Sequence, residues 1–209
     1  MTFRPSPVLQ RKLSAASRSW LSRQSRDPFV KQRNTSLNAY RSRSAFKLLE
    51  LDAAWGSFLS RKDVRAVVDL GAAPGGWSQV VAEKRGWICT SETTGAEEDA
   101  DTSRLWDHSQ GRGVIVSVDL LPMSPIPGVH IMQMDFLTPQ AGAAIKAALS
   151  TPENPSGMAD IILSDMAANF SGNKTRDVER SLDICQSVYD FAKDNLHMRD
   201  KKHRGGTLL

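Results

Sequence analysis

Residues 67–81 read VVDLGAAPGGWSQVV. An apolar run closes on Asp69, a glycine-rich turn follows from Gly71 to Gly76, and residues suited to a helix resume at Trp77. A strand that ends in such a turn and feeds a helix lets a ligand approach the backbone closely, so the stretch implies an α/β fold with a ligand at the strand's carboxyl end.

Three further strand-like runs end the same way: VIVSVD on Asp119, HIMQMD on Asp135 and ADIILSD on Asp165. Residues 66–70 and 161–163 are nearly continuously apolar, as expected of strands covered on both faces. Helical patterns are expected over 41–58, with Gly56 as a stop, and over 77–84, 139–149 and 175–198. Strands alternating with helices imply a parallel sheet wrapped by helices. The final RGGTLL, residues 204–209, reads as a turn and the opening of a fifth strand, at which the chain stops. The polar, acidic stretch 86–113 (SETTGAEEDAD at its centre) is expected to be a surface insertion without chemistry of its own.

With 209 residues the chain can bury one real core. Its 40% hydrophobic and 24% charged residues argue against wholesale disorder. No run approaches the roughly 18 apolar residues of a membrane span. Cys89 and Cys185 have no partner at ligand spacing, so buried free thiols are expected and neither a disulfide nor a metal site is supported.

The net charge of +4 hides an asymmetry, because Arg4, Arg11, Lys12, Arg18, Arg23 and Arg26 precede the first acid, Asp27, with serines interleaved. Residues 1–26 fit a mitochondrial transit peptide best. A basic arm that neutralises phosphates and a plain solvated tail are the alternatives, and the first two readings are compatible if cleavage falls part-way. Residues 27–209 then form the folded domain.

Four strand-end acids point to one ligand at the carboxyl edge of the sheet, although any single Asp there is at home in a turn or a helix cap. The turn separates the cofactors. Gly71-Ala72-Ala73-Pro74-Gly75-Gly76 lacks the middle glycine of G-x-G-x-x-G, and Pro74 offers no N–H to a pyrophosphate. No Gly-Lys-Ser/Thr follows, which excludes a Walker A loop. Asp119 is placed to take ribose hydroxyls and Asp135 an adenine amino group, the layout of an S-adenosylmethionine site. On pattern alone this is favoured over a nicotinamide site without displacing it.

RSRSAFKLLELD (41–52), VVDLGAAPGGWSQVV, VDLLPM (118–123), MDF (134–136) and SDMAANFSG (164–172) occur in the order that resembles the FtsJ/RrmJ family of RNA 2′-O-ribose methyltransferases. The resemblance covers residues 20–209 apart from the acidic insertion, and SWLSRQSRDPFVKQ (19–32) is similar to the mitochondrial large-subunit rRNA branch. It implies a Rossmann-like S-adenosylmethionine methyltransferase fold, incomplete after the start of the fifth strand. The expected activity is ribose methylation of RNA, most specifically of a uridine in mitochondrial large-subunit rRNA. The expected partner is that rRNA or a large-subunit precursor, for a monomer in the mitochondrial matrix; cytoplasm or nucleus is the alternative.

Residue by residue, the resemblance assigns Gly71, Gly75, Gly76, Trp77, Asp119, Asp135 and Asp165 to the cofactor. Lys47 and Asp165 match two members of the family's Lys-Asp-Lys-Glu catalytic set, and the second Lys and the Glu fall past Leu209. Ala168 stands where many members carry Pro. A 209-residue chain is therefore expected to bind cofactor weakly and transfer methyl slowly, and a catalytically impaired RNA-binding or ribosome-assembly factor is the alternative.

A ribose hydroxyl is a poor nucleophile, so alignment with the activated methyl and help in proton removal must supply the rate. Lys47 and Asp165 would orient the ribose and set the local field. Arg41, Arg43 and Lys47 make a phosphate-contacting strip, with Lys31 and Arg33 upstream. The plainer readings are a helix-surface lysine for Lys47, a turn or cap for Asp165 and a core aromatic for Trp77.

Overall fold

The computed structural model describes residues 22, 27–30, 40–88, 111–167, 171–199 and 204–209. Most of the basic leader, Lys31 and Arg33, Cys89 and most of the acidic insertion, and Ala168 lie outside the described residues. The chain divides into two compact units, Met1–Ala39 and Tyr40–Leu209. Within the first, residues 28–30 form a helical turn, with the Phe29 amide donating to Asp27 Oδ1 at 2.9 Å.

The second unit carries the sheet. Its elements run α1 (Ser44–Ala54), a 3-10 turn (Phe58–Ser60), β1 (Ala66–Leu70), α2 (Gly76–Lys84), β2 (Val114–Asp119), β3 (Val129–Gln133), α3 (Pro139–Leu149), β4 (Ile161–Ser164), α4 (Lys174–Asn195) and β5 (Thr207–Leu208). The five strands are parallel in the order β3-β2-β1-β4-β5. Val68 of β1 lies opposite Val116 on one side and Ile162 on the other. The chain first builds outward from β1 through β2 to β3, then returns to the other side of β1 with β4. The carboxyl ends of β1 and β4 therefore flank a topological switch point, where a crevice opens naturally.

β1 is buried at every position, which accounts for its unbroken apolar run. Ala66, Val68 and Leu70 pack with Val116, Val118 and Ile162 under Ile145 and Leu149 of α3 and Val188 and Ala192 of α4. Strand alternation turns Val67, Asp69 and Ser117 to the opposite face, on which α2 packs, with α1 against α2.

The first and last helices are shorter than the sequence pattern predicts. α1 begins at Ser44, not at 41, and ends at Ala54, because Gly56 and Ser57 both take left-handed φ and reverse the chain. α4 stops at Asn195, whose carbonyl accepts from the Ala159 amide at 2.8 Å and draws the chain into an extended bridge at Leu196. Cys185 is exposed on α4, contrary to the expected buried thiol. Ile184 and Val188 beside it supply that helix's packed face.

One buried arginine ties the amino-terminal edge of the sheet together. Arg85 is 2% exposed. Its guanidinium donates to the carbonyls of Leu59, Arg61, Val64 and Arg112, closing four loop ends that have no strand partner.

Candidate active site

The turn after β1 is held open by what crowds it. The amides of Gly71 and Ala72 both donate to Val118 O, at 2.9 and 3.2 Å, which pins the turn to β2. Gly71 has φ +71° and a Cβ there would overlap the Met166 side chain, so both conformation and space demand glycine. Gly75, at φ +104°, caps α2 where a Cβ would lie 2.9 Å from Ile126 Cδ1 and 3.2 Å from Arg41 Nη1. At Gly76 a side chain would run into Ser42 Oγ. The residues just before α1 thus lie directly on this turn.

Beyond the turn lies a cavity of about 400 Å³. Gly71, Asp119, Asp135, Phe136 and Met166 contribute to its lining from the ends of β1 to β4, and Asp183 and Ser187 enter from α4. Asp119 accepts from the Ala73 amide through Oδ2 at 2.8 Å and from the Leu121 amide through Oδ1 at 2.7 Å. Asp135 accepts from the Leu137 amide at 2.9 Å. Each carboxylate is thereby fixed while lone pairs remain for ligand hydroxyl or amino donors. Exposed Leu120 and Leu137 line the same cavity, giving it apolar walls around a few aimed acids, the ordinary make-up of a small-molecule site.

Lys47 and Asp165, 118 residues apart, meet through a 2.5 Å Nζ–Oδ1 contact. Their side chains are 58% and 30% exposed. A pair this open adds about 0–1 kcal/mol to stability, so its placement matters more for chemistry than for holding the fold. Asp165 directly precedes Met166 of the cavity wall but does not itself line it. Trp77 also lies outside the lining. Its buried indole donates to Ser44 O at 2.8 Å and lies 5.5 Å beneath Lys47 Nζ, so it positions α1 and the lysine.

The basic strip divides by role. Arg41 donates to Ser124 O and Pro125 O, both at 2.7 Å, clasping the loop after β2 to the start of α1. Arg43 is exposed.

Asp69 differs from the other strand-end acids. It is 1% exposed and faces the α2 side, where Ser78 Oγ donates to Oδ2 at 2.6 Å and itself lies 2.8 Å from Ser117 Oγ. Burial pushes its pKa up to about 7 despite the Ser78 hydrogen bonds, and the charges of Asp165 and Asp119 add to the rise.

The structure thus brings Gly71, Asp119 and Asp135 to one cavity and sets Lys47 with Asp165 beside it. Gly75, Gly76 and Trp77 support the frame. Asp183 and Ser187 were not marked by the sequence. Their spacing places them on one helical face, but only tertiary packing shows that this face meets the cavity. No group of His, Cys, Asp and Glu suited to a metal occurs among the described residues. Nor is any described helix long and apolar enough to cross a membrane.

Comparison with known proteins shows the family and the fold. A family model described as FtsJ-like methyltransferase matches residues 40–207. Ribosomal RNA large subunit methyltransferase E of Novosphingobium aromaticivorans is 40% identical over 186 residues, spanning 89% of this chain and 68% of that protein. Its counterpart in Sinorhizobium fredii is 38% identical over 204 residues, 96% of this chain and 70% of that one. The crystal structure of a ribosomal RNA methyltransferase from Plasmodium falciparum superposes with a TM-score of 0.57 at 27% identity, covering 76% of this chain and 74% of that chain.

Proposed function

The chain belongs to the FtsJ-like methyltransferase family, and from that premise we propose that it methylates a ribose 2′-hydroxyl of ribosomal RNA using S-adenosylmethionine. The finer target we propose is a uridine of the mitochondrial large subunit. The Arg/Ser-rich, acid-free leader supports that address, and the large-subunit rRNA enzymes among the relatives support the substrate.

The observation that carries the reading is the Lys47–Asp165 pair beside a cavity edged by Gly71, Asp119 and Asp135. The residues present fit the cofactor. Gly71 edges the cavity at the end of β1, and two fixed carboxylates stand there among apolar walls. When bound, S-adenosylmethionine supplies a methyl activated on a sulfonium. Asp119 and Asp135 would accept from its hydroxyl and amino groups, with Gly71 giving close approach. Lys47, fixed by Asp165 and by the face of Trp77, would present an ammonium to the incoming ribose and its phosphate. Exposed Arg43 extends that positive surface.

Transfer of labelled methyl to rRNA and to large-subunit particles tests this, with cofactor binding measured separately by calorimetry. Lys47→Ala and Asp165→Asn are expected to lower transfer on the order of 100-fold or more, with cofactor affinity little changed for the lysine variant. Wild-type rates in both variants refute the assignment. No heat with S-adenosylmethionine, with rRNA still bound, would instead favour an RNA-binding assembly factor.

A further inference from the structure

Pro122, Pro125 and Pro127 punctuate the stretch after β2 and withdraw their backbone donors from it. Residues 122–126 accordingly take no regular structure. This loop nevertheless helps to build the cavity. Leu120 at its start lines the wall, and the Leu121 amide donates to Asp119 Oδ1 at 2.7 Å. The other oxygen of Asp119 accepts from the Ala73 amide, in the turn after β1, at 2.8 Å. Asp119 thus joins two loops from the cavity side.

Arg41 joins the same two loops from the other side. Its Nη1 donates to Ser124 O and its Nη2 to Pro125 O, both at 2.7 Å, and Nη1 also donates to Pro74 O at 3.5 Å. No other described hydrogen bond takes the carbonyls of Ser124 or Pro125. Arg41 is anchored in turn, because its own amide donates to Gln79 Oε1 of α2 at 3.1 Å. Glycine at position 75 leaves the guanidinium its place, since a Cβ there would lie 3.2 Å from Nη1. Both outer nitrogens of the fork are therefore engaged with backbone carbonyls, the paired geometry that a planar guanidinium matches and a phosphate would have to displace.

We propose that Arg41 is a positioning residue for the cofactor and not a phosphate contact. By gripping Pro74 and the Ser124–Pro125 segment from outside, it holds Ala73 and Leu121 where their amides aim Asp119 at the ligand. The inference rests on the S-adenosylmethionine reading, in which Asp119 accepts from ribose hydroxyls.

Calorimetry of the whole chain with S-adenosylmethionine, adenosine and 2′,3′-dideoxyadenosine tests it. Arg41→Ala should weaken S-adenosylmethionine and adenosine about tenfold, and should leave the dideoxy compound, which offers Asp119 no hydroxyl, within about twofold of wild type. Arg41→Lys keeps the charge, but one ammonium does not match two adjacent carbonyls, so it should also lose affinity; it decides the matter if the alanine variant does not fold. The salt dependence of rRNA binding should keep its slope in Arg41→Ala, because no phosphate contact is removed.

Unchanged affinity for S-adenosylmethionine in Arg41→Ala, or full affinity in Arg41→Lys, overturns the proposal. An equal loss with the dideoxy compound also overturns it, since that marks a general loosening of the turn and no action through Asp119. So does a salt slope reduced by about one, which assigns Arg41 to a phosphate. These results leave the cofactor reading standing. Wild-type protein that binds none of the three ligands removes that reading, and this inference with it.

Discussion

Replacing Asp69 by Asn should make the protein respond differently to pH, even with no ligand present. Burial raises this carboxyl from 3.8 to about 7 in the folded chain. Between those two values the native state keeps the proton and the unfolded chain loses it, so the native state binds more protons and stability falls as pH rises. Below the lower value both states are protonated and above the upper value both are ionised, so the fall is confined to that window. A shift of this size corresponds to about 4 kcal/mol lost across the window, at 1.36 kcal/mol for each unit. Asn fills the same volume and has no proton to lose. Urea unfolding followed by tryptophan fluorescence, at intervals from about pH 4 to about pH 8, yields a variant-minus-wild-type curve in which other titrations cancel. That difference is expected to rise with pH in favour of Asp69→Asn and to flatten above neutrality. A flat curve within about 1 kcal/mol, or one of opposite slope, refutes the assignment of a buried, protonated Asp69.

The same geometry makes further predictions. Gly71→Ala forces a side chain into φ +71° and onto Met166; it should cost about 1–3 kcal/mol in a denaturation assay and weaken cofactor binding about tenfold or more in calorimetry. Arg85→Ala removes the donor to the carbonyls of Leu59, Arg61, Val64 and Arg112. The carbonyls of Leu59 and Val64 are the buried pair; at about 1–3 kcal/mol for each left unpaired, Arg85→Ala should lower the urea midpoint strongly, and Arg85→Lys should recover only part of the loss. Reversing the charges with Lys47→Asp and Asp165→Lys should leave the melting temperature within a few degrees while abolishing methyl transfer, because the exposed pair contributes about 0–1 kcal/mol to the fold.

Much of the sheet was legible because its signal is local. The apolar run of β1 is buried at every residue, and the 139–149 helix appears with the predicted bounds, opened by Pro139. What was not legible depends on distant partners. Nothing near residue 195 announces the end of α4, since the Ala159 backbone captures the chain there. The RSRS segment reads as helix or phosphate strip, yet Arg41 turns back onto carbonyls more than eighty residues away. The strand-end acids look equivalent in sequence. Asp119 and Asp135 reach the cavity because one ends its strand and the other follows its strand, whereas Asp69 lies inside β1 and meets the serines under α2, a difference of position that four similar motifs cannot express.

The 118-residue separation of Lys47 and Asp165 also orders events during synthesis. Asp119 and Asp135 are synthesised before β4, so the acids that line the cavity precede the partner that fixes the lysine. Closing so long a loop waits until β4 has docked beside β1. The reactive pair is thus a product of completed tertiary pairing, and an unfinished chain carries the lysine without the acid that aims it.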